Sequence, residues 1–308
     1  MDRDRQQAGE PESSARDGGT ATRINDLPRE VMDEVAKGLT TDDPVETANN
    51  LTNFKLIDRS TRDALQTGPV GVFHARLNRL GTSAKALYDA EKPDNGLPPA
   101  HPLDDAFHRA DAIAPILKFQ SATRKSATVD HILNVSHASS NPGAILALAR
   151  HLGDLDHVNR RRLLDQAIDS FKQDHPSYDS AGHRNAAMVL ISAHDHLDAE
   201  QKVRIYDALI DHPELNNLLA GYGEHLGPIR NGPPSMNVVQ QGSDLDRSID
   251  AIEEASHRLP PNSANDLAAG VQRVWAIRKI GTSMTDAYSG ARAELIGSVR
   301  SRGHDVGR

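Results

Sequence analysis

Fifteen histidines are the residues of this sequence best equipped for chemistry. Histidine binds metals and exchanges protons near neutral pH, so a metal-dependent hydrolase is one reading to weigh. The spacing argues against it. His194 and His196 are two residues apart, so on a helix they leave from different faces. No HExxH pattern occurs. His151, His157, His175 and His183 are scattered near expected helix ends. There is no GxSxG nucleophile elbow and no glycine-rich phosphate loop. Cysteine is absent, which excludes a cysteine nucleophile, a disulfide framework and a cysteine-bound zinc site such as a RING. A ligase that carries ubiquitin on its own thiol is excluded for the same reason. The Arg160-Arg161-Arg162 run reads as a solvated helix face, or as a contact for an acidic partner. These residues predict a non-catalytic protein that needs no cofactor and no metal.

What must then be positioned is a binding surface. The chain has 308 residues, 25% of them charged, with a hydrophobic fraction of 37% and only 4% aromatics. A core built from Ala, Leu, Ile and Val with so few aromatics favours packed helices over a β-sandwich. The expected fold class is all-α. The net charge of −8 and sequence pI of about 6.0 disfavour a nucleic-acid partner, which calls for a basic balance. No apolar run approaches the roughly 20 residues of a membrane span, and Met1 is not followed by the apolar stretch of a signal peptide.

Along the chain, residues 1–22 have no large apolar side chain after Met1 and are expected to be disordered. Helical patterning covers 24–66 and continues as a helical extension over 67–90. A Pro-rich linker is expected at 91–103, with Pro93, Pro98, Pro99 and Pro102. Residues 104–290 resume helical patterning, broken by the Gly/Pro-rich stretch 227–243. Residues 291–308 form an arginine-containing polar tail.

Within 104–290 a weak repeat has an offset of 42 residues. Segments 144–169 and 186–211 share eight of 26 positions, among them Leu148/Leu190, Leu155/Leu197, Asp156/Asp198 and Arg162/Arg204. Asp156 and Asp198 stand where a carboxylate caps the second helix of a pair, and Gln201 completes a capping box with Asp198. A third unit at 248–273 keeps the apolar spacing without the identities. Stacked units of this length predict a short α-solenoid-like array, or else a helical bundle.

The segment 24–66 carries the most specific pattern. Pro28 stands at a helix start. Leu27, Val31, Val35 and Leu39 follow at intervals of four and form one apolar stripe. Asp43-Pro44-Val45-Glu46 starts a second helix, with Asp43 as cap, Pro44 at the first position and Glu46 reaching back. Leu51 and Phe54 lie along one side of it, and a third short helix is expected around Arg59–Leu65. Three short helices in about 42 residues bury little on their own, and packing against a second protein would stabilise them.

The Leu27-Pro28 start, the spacing to Leu39, the string EVAKGLTTDDPVETANNLTNFK and RSTRDAL resemble the F-box virulence effectors of agrobacteria and related plant-associated bacteria. The likeness runs from about Ile24 to Leu87. It implies that Leu27, Pro28, Val31, Val35, Leu39, Leu51 and Phe54 bind a host Skp-type adaptor of a cullin–RING ubiquitin ligase. It implies that residues 104–290 hold the target protein, and that the protein is exported into the host cytoplasm or nucleus. The arginine-containing tail would suit a type IV export signal, the polar N-terminus a type III one. The competing expectation is a helical-repeat scaffold that binds host proteins without ubiquitination.

Overall fold

The computed structural model describes residues 27–66, 68–91, 102–139, 141–173, 181–211, 245–259 and 267–297. The expected disordered tail 1–22, most of the expected linker, the loop 227–243 and the end of the C-terminal tail lie outside these residues. Among the described residues every regular element is helical. Twelve α-helices follow in order: α1 (Arg29–Gly38), α2 (Pro44–Lys55), α3 (Arg59–Ala64), α4 (Gly68–Glu91), α5 (Pro102–Ile113), α6 (Ala122–Ser139), α7 (Gly143–Leu148), α8 (His157–Lys172), α9 (Ala181–Ser192), α10 (Ala199–Asp211), α11 (Leu245–His257) and α12 (Leu267–Gly297). Short 3-10 helices at Ala114–Phe119, Ala149–Asp154 and His194–His196 punctuate the middle of the chain. None of the described helices is long and apolar enough to cross a membrane.

Helix α4 is the spine. Its buried residues Val70, Phe73, Leu77, Leu80, Ala84 and Leu87 alternate steps of three and four, the spacing that lets one helix seat against another along its whole length. Helix α12 has the matching stripe, with Ile277, Ile280, Met284, Ala287, Ala291 and Leu295 all buried. Helices α4, α11 and α12 pack on one another, so the end of the described chain returns to its beginning. Helix α12 runs to Gly297, past the expected boundary at 290, because Ala291 and Leu295 continue its buried face.

Charge reinforces this three-helix seam. The Arg76 guanidinium grips both oxygens of Asp246 at 2.9 Å and donates to Glu294 at 2.8 Å. Arg79 donates to Glu253 and Asp250. Those hydrogen bonds hold the Asp246 and Glu253 carboxyls below their ordinary values of 3.8 and 4.5. A carboxylate kept ionised by the fold contributes fully above its unfolded pKa, and the contribution disappears as pH falls through the depressed folded value. Acidification below about pH 4 should therefore loosen α11 from α4, read as faster amide exchange of Ile249 and Ile252. The effect should shrink in high salt because the carboxylates are exposed. Unchanged exchange in α11 down to pH 3 would contradict it.

The 42-residue repeat corresponds to a structural unit of first helix, 3-10 turn and second helix. Helices α7 and α8 make one copy and α9 and α10 the next. Helices α5 and α6, flanking the turn Ala114–Phe119, make a third with the same layout. First helices α5, α7 and α9 pack side by side, as do second helices α6, α8 and α10. The shared residues have shared tasks. Leu155 and Leu197 are buried after each turn. Asp156 Oδ1 accepts from the Asn159 amide and Asp198 Oδ1 from the Gln201 amide, both at 2.8 Å. The Gln201 side chain in turn accepts from the Asp198 amide through Oε1 at 3.2 Å. Arg162 pairs with Asp130 of the preceding second helix, and Arg204 likewise with Asp165 and Asp169. The expected third unit at 248–273 does not extend the stack. Its helices α11 and α12 both pack on α4, where their apolar stripes match the spine, and α12 also lies against α5 and the turn Ala114–Phe119.

Candidate protein-docking site

The segment α1–α3 lies on α4, with α2 also touching the turn Ala114–Phe119. Asp43 caps α2 by accepting from the Val45 and Glu46 amides at 2.7 and 3.1 Å. Pro44 takes the first helical position, where its missing N–H costs nothing. Glu46 does not reach back as expected. The Asp43 amide donates to Thr41 Oγ1 instead, because the Thr41–Asp43 turn places that hydroxyl closer. Asp58 caps α3 and forms a capping box with Thr61. Gly68, with φ of 76°, turns the chain from α3 into α4 in a conformation that disfavours any side chain.

The expected binding residues divide into two sets. Met32 and Ala36 form the buried side of α1, and Leu27 and Leu39 lean against the same core from its two ends. Leu51 and Phe54 are fully buried and hold α2 to α4. Of the expected binding residues, Leu27, Leu39, Leu51 and Phe54 thus shape the segment from inside. Pro28, just ahead of α1, and Val31 and Val35, about a quarter turn round the helix from Met32 and Ala36, are exposed. A spacing of four drifts around a helix of 3.6 residues per turn, so a stripe read as one face is split between core and solvent. Arg29, Glu30 and Glu34 flank this outer strip as exposed charges. Asp33, beside it, is held above the ordinary carboxylate range by partial burial.

Two further apolar residues lie at the surface of the same segment. Leu56 and Ile57, in the turn between α2 and α3, are 70% and 54% exposed. Their sequence signal is a pair of large aliphatics immediately after a helix-ending lysine, where a turn ordinarily carries polar residues. The segment therefore offers aliphatic surface on α1 and at the α2–α3 turn, on a helical platform fixed from beneath. It can bury apolar area against a partner.

The platform is fixed from the far end of the chain. Tyr288 of α12 is buried, and its hydroxyl donates to the Thr41 carbonyl at 2.7 Å and meets Thr47 Oγ1 at 3.0 Å. Burial pushes this phenol above its ordinary value. Arg292 pairs with Asp42 and Lys125 with Asp43. The α1–α3 segment is thus bolted to both the spine and the array.

Several histidines and arginines of the array have structural partners. His183 is buried and donates through Nε2 to the Gln173 carbonyl at 2.8 Å. His151 meets Asp154, and His194 meets Asp195. His175 lies outside the described residues. Arg161 is not merely a solvated residue: it joins α8 to Asp198 and Glu200 of the next unit. Among the described residues, no group of three or more His, Asp or Glu side chains converges as a metal site would require.

Comparison with known proteins gives one relative. Virulence protein F of Agrobacterium tumefaciens (strain 15955) is 42% identical to this chain over 85 residues. The match covers 28% of this chain and 42% of that protein. The resemblance read from the sequence is therefore a genuine but partial sequence relationship. No family model matches the chain, and no solved structure matches it.

Proposed function

We propose that this protein is a virulence effector of a plant-associated bacterium and works as a non-catalytic F-box adaptor inside the host cell. Helices α1–α3 dock a host Skp-type adaptor protein, and the remaining helices hold a host or co-transferred protein for ubiquitination. The ligase's other subunits transfer ubiquitin, and this chain contributes proximity by raising the effective concentration of the target. The observation that carries the reading is the outer strip of α1: Val31 and Val35 are 41% and 40% exposed, next to a face anchored in the core by Met32 and Ala36.

The test is binding of a purified plant Skp-type adaptor to the full chain by calorimetry. Val31→Asp with Val35→Asp should weaken binding about a hundredfold, corresponding to two aliphatic contacts at the centre of an interface. Both sites are on the surface, so the melting temperature should hardly move. Leu51→Ala should act differently, lowering stability first by about 2–5 kcal/mol. Wild-type protein that binds no adaptor, or a double variant that binds equally well, would sink this reading.

One observation favours a second reading, a helical scaffold that binds host proteins without ubiquitination. The Thr47–Tyr288 contact and the α4 seam make α1–α3 part of the chain's own core. A folded wild-type protein with no affinity for the adaptor would favour it.

A further inference from the structure

Helix α10 is the last of the stacked second helices, and its outer face is apolar. Val203, Tyr206 and Ile210 are all more than half exposed, Ile210 at 75%. They are the largest group of exposed large apolar side chains on any one described helix. Their steps of three and four place them within about 60° of arc, as on the seam of a coiled coil. The last unit of an array ordinarily ends in a polar face. The repeat shows what such a face receives. Asp207, Ile210 and Asp211 of α10 are the same residue types, 42 positions on, as Asp165, Ile168 and Asp169 of α8. On α8 all three are engaged. Ile168 is buried, as is Leu164, the counterpart of Tyr206. Arg204 of the next second helix donates to Asp165 at 2.7 Å and to Asp169 at 2.6 Å, and Gln201 donates to Asp165 at 3.0 Å. On α10 the equivalent Asp207, Ile210 and Asp211 are exposed, and neither carboxylate is paired among the described residues.

We infer that the outer face of α10 takes a helix of a partner protein, an amphipathic helix with one apolar seam and an arginine that reads Asp207 and Asp211. The inference rests on the reading that the helices beyond α4 hold a second protein. The contact of α10 on α8 is the template. There one guanidinium bridges two carboxylates a helical turn apart, a task for which its forked donors are suited. Exposed ion pairs contribute little by themselves. The seam of Val203, Tyr206 and Ile210 therefore supplies the affinity, and the two carboxylates set register and orientation. Two other occupants match the face less well. Residues 212–244, which follow α10, contain one arginine, Arg230, between Pro228 and Pro233, a setting unlike the helix interior that presents Arg204. A second copy related by a two-fold axis would bring the acids of this face against themselves.

The experiment displays on phage a library of helical hairpins randomised on one face, selects it against the full chain, and measures the purified hairpin by calorimetry. Enriched faces should combine aliphatic residues with an arginine. Asp207→Lys with Asp211→Lys should weaken the hairpin by about tenfold or more, and Ile210→Asp should weaken it as well. Changing the enriched arginine to glutamate should restore binding to the double variant. All three sites are exposed, so the melting temperatures of these variants should stay near that of wild type. Val31→Asp with Val35→Asp should leave hairpin binding unchanged, and the α10 variants should leave Skp-adaptor binding unchanged. Enriched faces without arginine, or equal affinity for the double variant, would overturn the inference. So would no enriched hairpin, the result expected if residues 212–244 cover the face. Self-association of the full chain that Ile210→Asp abolishes would also overturn it, because the occupant would then be a second copy. Wild type that binds the hairpin but no Skp-type adaptor would remove the docking reading and leave the α10 face standing.

Discussion

Replacing Tyr288 by alanine is expected to cost about 3–5 kcal/mol of stability and to release α1–α3 from the rest of the fold. The side chain is 2% exposed. Its ring sits 6.1 Å from that of Phe73 and 6.3 Å from that of Phe119, so truncation opens a cavity where α4, α12 and the turn Ala114–Phe119 meet. Its hydroxyl links α12 to the loop between α1 and α2, beside the Arg292–Asp42 pair. Tyr288→Phe separates the two roles. It keeps the ring and leaves the Thr41 carbonyl short of a donor, at a cost of about 1–3 kcal/mol. Chemical denaturation of the full chain gives both numbers. Amide exchange then locates the loss, which should be greatest in α2 around Thr47 and smallest in α8. If Tyr288→Phe costs as much as Tyr288→Ala, the ring contacts contribute nothing and the account is wrong. The functional consequence follows from the geometry. The outer strip of α1 is held in place only while Met32 and Ala36 stay seated, so Tyr288→Ala should weaken any partner of that strip without touching it.

Gly281→Leu is the second large effect. A Cβ at Gly281 would lie 2.6 Å from Pro115 Cβ and 3.1 Å from Ile116 Cγ2. Neither neighbour can swing away, since Pro115 is a ring in the 3-10 turn and Ile116 is fully buried. Alanine alone gains about 1 kcal/mol of helix propensity and loses about 1–3 kcal/mol to overpacking, so Gly281→Ala should be neutral to destabilising. Leucine adds three more carbons with nowhere to go and should push α12 off α5. Gly81 of α4 is the internal control, because a Cβ there meets nothing within 4 Å. Gly81→Ala should stabilise by about 0.5–1 kcal/mol. Thermal melting of the three variants checks the ordering. Gly281→Leu melting as high as wild type would show that the contact is not close in solution.

Parts of this protein were decided by neighbours in sequence. The all-α class follows from composition and apolar period. The start of α2 follows from Asp43-Pro44, and the caps of α8 and α10 from Asp156 and Asp198, because capping involves only residues two or three apart. The repeat was visible because both copies perform the same local acts: a buried leucine after a turn, a capping aspartate, an arginine one turn inside the second helix. Residues 67–90 were expected only as a helical extension, and the stripe from Val70 to Leu87 emerges in the structure, where it faces α11 and α12.

Which partner it takes was decided only by the tertiary structure. Nothing within residues 68–91 points to Ile249, Ile277 or Met284, since matching two stripes nearly two hundred residues apart depends on the path of every helix between them. The same holds for the α1–α3 segment. Periodicity identified Leu27, Val31, Val35, Leu39, Leu51 and Phe54 as apolar, but one face of a helix can be covered by its own chain or left for another. The return of α12, with Tyr288 on Thr41 and Arg292 on Asp42, settles that choice. It seats Leu51 and Phe54 inside and leaves Val31 and Val35 outside. The physical reason is that burial is a property of the whole fold, set by which surfaces remain once the longest complementary stripes have found each other.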